Sequence, residues 1–143
     1  MILGIGVDIA EVNFWRQAVR DPTTSVIEGT FTPTEQDEAR GGVTESAQRF
    51  ATRFAAKEAF LKAISSGRVG TLPMGSSIAL TEIEVVSDEW GRPKLNLHGE
   101  AKEVAHARGV YHHHLSLSHE QQFVVAMVVL EGDTEKSSLK PSR

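Results

Sequence analysis

The sequence contains no cysteine, and this absence excludes several kinds of chemistry. No disulfide can hold the fold together, no thiolate can bind zinc, and no thiol can act as a nucleophile. Hydrophobic residues make up 40% of the chain and charged residues 24%, which is typical of a soluble globular protein. The stability of the protein must therefore come from packing.

Long apolar runs are also missing, since no segment approaches the roughly 18 consecutive apolar residues of a membrane span. The chain opens directly on an alternating apolar segment, without the basic run or the cleavage site of a signal peptide. These two absences predict a cytoplasmic protein that has no membrane partner.

An overall excess of positive charge is missing too, because the formal net charge is −4 at pH 7. This balance argues against a general nucleic-acid binder. Between positions 46 and 70, however, five basic residues stand against a single acid, Glu58. A basic stretch within an acidic protein indicates an anionic partner.

Three segments carry the clearest signals for local structure. Residues 2–9 alternate glycine with aliphatic residues, which predicts a strand whose glycines let another backbone approach closely. Thr32 and Glu35 form the pattern of a capping box at the start of a short helix. The strongest helix signal covers 46–66, is rich in Ala, Arg, Lys and Glu, and is closed by Gly67.

The other predicted elements are shorter. They are helices at 11–20 and 100–108 and strands at 78–86, 94–97, 114–119 and 122–130. Strands that follow a mainly helical first half favour an α+β fold, here a small antiparallel sheet packed on one long helix plus short helices. The 143 residues fit one domain, which we place at 1–131, followed by a polar C-terminal tail at 132–143.

Glu58 interrupts an apolar arc on the predicted long helix. At about 100° per residue, Phe54 and Lys62 lie roughly 40° to either side of it. A carboxylate on the buried side of a helix is costly unless a cation pairs with it. Lys62, one turn later, would do so as a plain helix ion pair, and a bound metal ion would do so equally.

Asp8 poses the same question near the end of an otherwise apolar strand. A capping or turn role and a metal-binding role are both open for it. Two carboxylates from separate elements beside a basic helix could hold one hard divalent ion, with free positions for phosphate oxygens and water. Magnesium with a phosphorylated substrate suits this donor set better than zinc.

The histidine triplet at 112–114 and a nearby serine are weaker candidates. Adjacent strand residues face opposite ways, so only His112 and His114 would share a face, and we do not expect a zinc site there. Ser116, close to His119, lacks the G-x-S-x-G elbow of a hydrolase nucleophile.

Taken in order, four blocks of the sequence resemble the small trimeric holo-acyl-carrier-protein synthases of the 4′-phosphopantetheinyl transferase superfamily. The blocks are Gly4-Ile5-Gly6-Val7-Asp8-Ile9, Phe31-Thr32-Pro33-Thr34-Glu35, Arg53-Phe54-Ala55-Ala56-Lys57-Glu58-Ala59 with Lys62-Ala63, and His114-Leu115-Ser116-Leu117-Ser118-His119-Glu120. The resemblance implies transfer of the phosphopantetheine arm of coenzyme A onto a serine of an apo acyl carrier protein, in support of fatty acid biosynthesis.

The resemblance also implies roles at a catalytic site. Asp8 and Glu58 would bind Mg²⁺ together with the pyrophosphate of coenzyme A. Lys62 would lie beside the transferred phosphate of the bound coenzyme A, and Glu58 would be the candidate base for the serine proton. The carrier serine would then attack the β-phosphorus without a covalent enzyme intermediate.

Binding residues follow from the same resemblance. Arg53, Lys57 and His114 would line the cleft for the nucleotide of coenzyme A. Arg16 and Arg20, on the first helix, would contact the acidic recognition helix of the carrier protein. The family forms homotrimers with a site at each subunit interface, and we expect the same threefold closure here.

Two other functions fit the same residues. A metal-dependent hydrolase of small phosphorylated or pyrophosphate compounds would reuse Asp8, Glu58 and Lys62 with water as the nucleophile. A non-enzymatic trimeric interaction module would use the basic helix only to bind acidic partners. Dependence of coenzyme A consumption on a carrier protein separates the first from the transferase, and an unchanged function in Glu58→Gln would indicate the second.

Overall fold

The computed structural model describes residues 1–133, which contain five strands and five α-helices. The strands β1 to β5 span Ile2–Glu11, Ile83–Ser87, Pro93–Leu97, Val110–Glu120 and Phe123–Gly132. The helices α1 to α5 span Val12–Arg20, Val26–Thr30, Pro33–Glu38, Val43–Ser65 and Gly99–Ala107. Within this part of the chain no helix is both long and apolar enough to cross a membrane.

The strands form two antiparallel sheets rather than one, because β2 and β3 pair separately from the others. The larger sheet has the order β1–β5–β4, so the first strand of the chain lies beside the last. The helix α4 packs across β1 and β5. The predicted fold class, α+β with a small antiparallel sheet on one long helix, is confirmed.

The predicted strand at 78–86 is shorter than expected, and β2 begins only at Ile83. A 3₁₀ turn, Leu80–Glu82, precedes it. The backbone oxygens of Leu80 and Ile83 both point inward and accept hydrogen bonds of 2.8 Å from Lys57 Nζ. The Leu80 oxygen therefore bonds to Lys57 ahead of the strand, whereas Ile83 also pairs with Leu97 of β3.

The last hairpin is longer than predicted. β4 begins at Val110 rather than at residue 114, because the histidine triplet already pairs with the end of β5. β5 in turn extends to Gly132, which lies in the predicted tail. Positions 134–143 of that tail lie outside the described residues.

The larger sheet has a buried face and an outward face. Residues paired across β1, β5 and β4 share a face, as Asp8, Ala126 and Leu117 do. The buried face packs on α4 and includes the fully buried β5 residues Val124, Ala126, Val128 and Leu130. The outward face includes six apolar residues that are each 38–64% exposed, namely Ile5, Val7, Ile9, Phe123, Val125 and Met127.

The glycines of β1 allow α4 to lie directly on the strand, as the alternating pattern predicts. A Cβ atom on Gly4 would lie 2.0 Å from the backbone oxygen of Ala63, and one on Gly6 would lie 2.0 Å from that of Ala59. No side chain of any size fits between these backbones. The close approach brings the residues that follow on β1 next to α4.

The helix α3 begins with the predicted capping box. Thr32 Oγ1 accepts a hydrogen bond of 3.2 Å from the Glu35 backbone N–H, and Glu35 Oε1 accepts one of 3.0 Å from the Thr32 backbone N–H. The side chain of Glu35 is fully buried. The cap therefore directs a carboxylate into the protein interior.

Candidate active site

Asp8 and Lys62, from β1 and α4, form an ion pair at the edge of the larger sheet. The Lys62 ammonium lies 2.9 Å from Asp8 Oδ1 and donates a hydrogen bond of 3.1 Å to the backbone oxygen of Val7. Lys62 therefore pairs with β1 rather than with Glu58 along the helix. Asp8 lies inside a strand that continues to Glu11, so the alternative of a capping or turn role does not hold.

Glu58 and Asp8 line the same cavity, which has a volume of about 450 Å³ and lies between β1, α1 and α4. Burial raises the pKa of Glu58 above its usual value, the nearby charge of Asp8 raises it further, and Lys62 lowers it. The two carboxylates are therefore close enough for the charge of Asp8 to change the pKa of Glu58. The Lys62 ammonium acts on both, since it pairs with Asp8 and lowers the pKa of Glu58.

This cavity is also lined by three aromatic residues, Phe14, Trp15 and Phe54, and by Glu11. Trp15 is 2% exposed and packs edge-on against Phe14, whose side chain remains 55% exposed. Phe14 and Glu11 were not among the site residues predicted from the sequence. The signal available for Phe14 was an aromatic residue directly before Trp15 in the predicted helix at 11–20.

The donor set of the cavity fits a hard divalent cation. Asp8 and Glu58 offer carboxylate oxygens, which Mg²⁺ prefers. Within residues 1–133, no cluster brings together three or more His, Asp or Glu side chains that could hold a metal ion. A cation bound by Asp8 and Glu58 would complete its coordination with oxygens of water and substrate, as magnesium usually does.

Arg53 lies at a second cavity, of about 410 Å³, between α4, β4 and the turn that joins β2 to β3. Its Nη2 atom lies 2.8 Å from Glu38 Oε2, and 10% of its side chain is exposed. Gly91, Pro93 and Ser116 line the same cavity. The guanidinium is thus placed at a cleft in which an anionic group can reach it.

Lys57 does not line a cleft, and this corrects the role assigned to it from the sequence. Its side chain is fully buried, and its ammonium lies 2.7 Å from Glu35 Oε1. Two backbone oxygens, of Leu80 and Ile83, accept its remaining hydrogen bonds. All three donor positions are therefore occupied inside the protein. The sequence showed a basic helix but could not show which of its cations points inward.

His114 lies on the outward side of the larger sheet. It is paired with Val129, which is paired with Ile5 of the outward face, whereas Asp8 belongs to the buried face. The imidazole is 54% exposed and lies 3.5 Å from Glu131 Oε1. One subunit therefore does not bring His114 together with Asp8. The ring of His112 lies 5.1 Å from that of His114, so these two share a face, as predicted.

Arg16 and Arg20 lie on α1, the helix that borders the carboxylate cavity. Arg20 is exposed, and Arg16 is half-buried and donates a hydrogen bond of 3.2 Å to Asn13 Oδ1. The two cations are one helical turn apart. The two arginines therefore form a small basic surface on the helix that also carries Phe14, an exposed residue of the cavity.

The chain matches the profile of the 4′-phosphopantetheinyl transferase superfamily over residues 4–128. It is 41% identical to a holo-[acyl-carrier-protein] synthase of Geotalea daltonii over 131 residues, which is 92% of this chain and 99% of that protein. It is 38% identical to a holo-[acyl-carrier-protein] synthase of Nocardia farcinica over 142 residues, or 99% of this chain and 96% of that one.

The fold of this chain is also similar to that of a solved structure. The coenzyme A complex of the Chronobacterium ammoniagenes synthase superposes with a TM-score of 0.79 at 32% identity, covering 91% of this chain and 97% of that one.

Proposed function

The chain belongs to the 4′-phosphopantetheinyl transferase superfamily, and on that premise we propose that it is a holo-[acyl-carrier-protein] synthase. It transfers the 4′-phosphopantetheine group of coenzyme A to a serine of an apo acyl carrier protein. The products are the holo carrier protein and adenosine 3′,5′-bisphosphate. The observation that carries the proposal is the joint position of Asp8, Glu58 and Lys62, which places two carboxylates and one ammonium at one edge of the sheet.

The reaction needs charge stabilisation and one proton acceptor. The serine oxygen forms a bond to the β-phosphorus while the bond to the bridging oxygen of the pyrophosphate breaks. Lys62, held in place by Asp8, lies where it can stabilise negative charge on the transferred phosphoryl group. Burial raises the pKa of Glu58, which makes its carboxylate a better acceptor for the serine proton.

Mg²⁺ is the cofactor that we propose for this site, with Asp8 and Glu58 as its protein ligands. When bound, it would polarise the phosphoryl group and neutralise charge on the departing nucleotide. The fit rests on the oxygen donors and on the raised pKa of Glu58, since a divalent cation relieves the repulsion between neighbouring carboxylates. The protein otherwise contributes position and the exclusion of competing water.

Coenzyme A is the second substrate, and we assign its phosphates to the two cavities that flank α4. The cations available to them are Lys62, which pairs with Asp8 of the first cavity, and Arg53, which lines the second. Lys57 is omitted from this set because its ammonium is buried. His114 would have to come from a neighbouring subunit, since it lies on the opposite side of the sheet from Asp8.

We extend the proposal to a homotrimer. The outward face exposes six apolar residues in one contiguous part of the sheet, and such patches are typical of subunit interfaces. In a trimer with a threefold axis, each subunit would bury its apolar face against its neighbours, and no interface would be left uncovered. It would also bring His114 of one subunit towards the carboxylate cavity of the next, so that each site lies between two subunits.

The partner is an apo acyl carrier protein or a carrier domain of a fatty acid synthase. Arg16 and Arg20 offer positive charge to its acidic surface, which mainly increases the encounter rate. In this proposal the protein acts in the cytoplasm and supports fatty acid biosynthesis, because holo carrier protein is the form that bears acyl groups.

The experiment is to incubate the protein with Mg²⁺, coenzyme A and apo carrier protein, and to weigh the carrier by mass spectrometry. We expect the mass of the carrier to increase by one phosphopantetheine group, with no increase after EDTA or in a carrier whose serine is replaced by alanine. Loss of coenzyme A without any carrier would instead favour the hydrolase. No adduct on any apo carrier tested would contradict the proposal.

A further inference from the structure

A buried ion pair joins α4 to α3 on the side of α4 that faces away from β1. Lys57 Nζ lies 2.7 Å from Glu35 Oε1, and both side chains are completely buried. Lys57 immediately precedes Glu58, the proposed metal ligand and base. Burial of two charges is costly unless geometry and hydrogen bonding are nearly complete.

Both partners are held from several directions. The Lys57 ammonium donates to Glu35, to the backbone oxygen of Leu80 and to that of Ile83, each within 2.8 Å. Glu35 Oε2 accepts a hydrogen bond of 3.0 Å from the Val85 backbone N–H, while its Oε1 closes the capping box of α3. Lys57 is therefore attached to α3, the 3₁₀ turn and β2 at the same time.

The opposite side of α4 is fixed by a different contact. Gly6 and Gly4 bring the backbone of β1 against the backbone oxygens of Ala59 and Ala63, with no space for a side chain. Lys57 and Glu58 point about 100° apart around the helix axis. α4 is thus held by backbone contact on one side and by three hydrogen bonds on another, which leaves little freedom to rotate.

A small rotation of α4 would displace the side chains that it carries into the cavity. A side-chain end lies roughly 5–6 Å from the helix axis, so a rotation of about 10° moves it by about 1 Å. A displacement of about 1 Å at a reacting group can lower a rate by on the order of 10²-fold. The separation of the Glu58 and Asp8 carboxylates therefore depends on the rotation of α4.

We propose that the Lys57–Glu35 pair is a positioning device that fixes the rotation of α4, so that Glu58 faces Asp8 across the cavity at a separation that one cation can bridge. Lys57 and Glu35 contact neither substrate nor cation and act only through Glu58. The activity readout of this inference rests on the proposed function, whereas its geometric content does not.

The test uses a double variant that removes both charges, Lys57→Met with Glu35→Gln. Replacing a buried ion pair by neutral groups of similar volume avoids leaving an unpaired buried charge. The single amide oxygen of glutamine can keep the capping box with the Thr32 N–H, but its NH2 group cannot accept the hydrogen bond of the Val85 N–H. Mn²⁺ alone serves as the probe of the cavity, with its binding followed by electron paramagnetic resonance. We expect the double variant to unfold at a lower denaturant concentration than the wild type, because the backbone groups of Leu80, Ile83 and Val85 lose their partners, but to remain folded without denaturant. We expect it to bind Mn²⁺ at least tenfold more weakly.

Two further measurements separate positioning from a general structural role. In the transfer reaction kcat should fall by tenfold or more, while KM for the carrier protein changes less than twofold. Leu95→Ala, which removes buried volume from the smaller sheet and keeps the ion pair, serves as the control. It should lower the midpoint of unfolding without changing Mn²⁺ affinity. If the double variant does not fold, Lys57→Met alone is measured in the same way, because the Glu35 carboxylate then keeps the hydrogen bonds of the Thr32 and Val85 N–H groups.

A folded variant with wild-type Mn²⁺ affinity and kcat would overturn the inference, because the pair would then have only a structural role. A wild-type protein without transferase activity would instead contradict the proposed function. In that case a crystal structure of the variant decides the matter. An unchanged rotation of α4 and an unchanged distance between the Asp8 and Glu58 carboxylates would overturn the positioning role.

Discussion

The Lys62 ammonium lies 2.9 Å from Asp8 Oδ1, although 54 residues separate the two along the chain. The lysine is 55% exposed, and ion pairs of such exposure contribute at most about 1 kcal/mol to stability. The pair therefore has more effect on the charge of the cavity than on folding. It holds a cation next to Glu58, whose proton affinity is raised by burial and by Asp8.

Replacing either carboxylate by its amide, in Asp8→Asn or Glu58→Gln, should lower the transfer rate by on the order of 10²- to 10⁴-fold. The amides keep size and packing but cannot hold a divalent cation or, at position 58, accept the serine proton. The rate is measured as modified carrier over time, and folding is checked by denaturant unfolding. Normal magnesium-dependent activity in either variant would show that the assigned ligands are wrong.

A site formed between subunits predicts complementation between two inactive variants. His114→Ala and Glu58→Gln should each have low activity alone. In mixed trimers formed by co-refolding at equal amounts, about one quarter of the sites should combine an intact Glu58 with an intact neighbouring His114. Activity of the mixture should rise accordingly. A mixture no more active than its parts would place His114 outside the site.

A charge on the outward face should prevent assembly. Val7→Glu places a carboxylate among apolar residues that a trimer would bury, and an unpaired buried charge is strongly unfavourable. Analytical ultracentrifugation should show a trimer for the wild type and a monomer for the variant. Val69→Glu is the matched control, because Val69 is 98% exposed in a loop. If Val7→Glu remains trimeric, another surface forms the interface.

Adding a methyl group to β1 should separate it from α4. Gly6→Ala puts a Cβ atom 2.0 Å from the backbone oxygen of Ala59, so the strand must move. We expect the free energy of unfolding to fall by about 1–3 kcal/mol or more. Gly29→Ala, where no atom lies within 4 Å of the added Cβ, should change it by less than about 1 kcal/mol. Equal effects would argue against a close backbone contact at Gly6.

Glu84 should contribute to acid sensitivity. Burial alone would raise its pKa, but hydrogen bonds from Thr32, His98 and Asn96 outweigh it and lower the pKa below the usual 4.5. Because the pKa is lower in the folded state, the stabilisation is complete above 4.5 and is lost as the pH falls through the folded value.

Glu84→Gln should therefore lower the free energy of unfolding at pH 7 by about 1–2 kcal/mol. Below pH 4.5 the variant should lose stability less steeply than the wild type. Urea unfolding over a series of pH values measures both slopes. The same slope in both proteins would mean that Glu84 does not titrate differently on folding.

Local features of the sequence were sufficient to predict much of the fold. The capping box at Thr32 and Glu35, the close backbone approach at the glycines of β1 and the long helix all depend on residues within a few positions of each other. The start of the strand predicted at 78–86 is wrong, because the backbone oxygen of Leu80 bonds to Lys57, 23 residues away, and a 3₁₀ turn precedes β2.

Helical and strand periodicity are local, so the amino-acid pattern alone predicts which chemistry-bearing residues share a helix face or a strand. It placed Glu58 and Lys62 on one side of the long helix and His112 with His114 on one side of a strand. The fold is needed to see that Lys62 pairs with Asp8, that Lys57 points inward to Glu35, and that His114 faces away from Asp8. These outcomes depend on how separate elements pack, and side-chain periodicity carries no information about the rotation of one element against another.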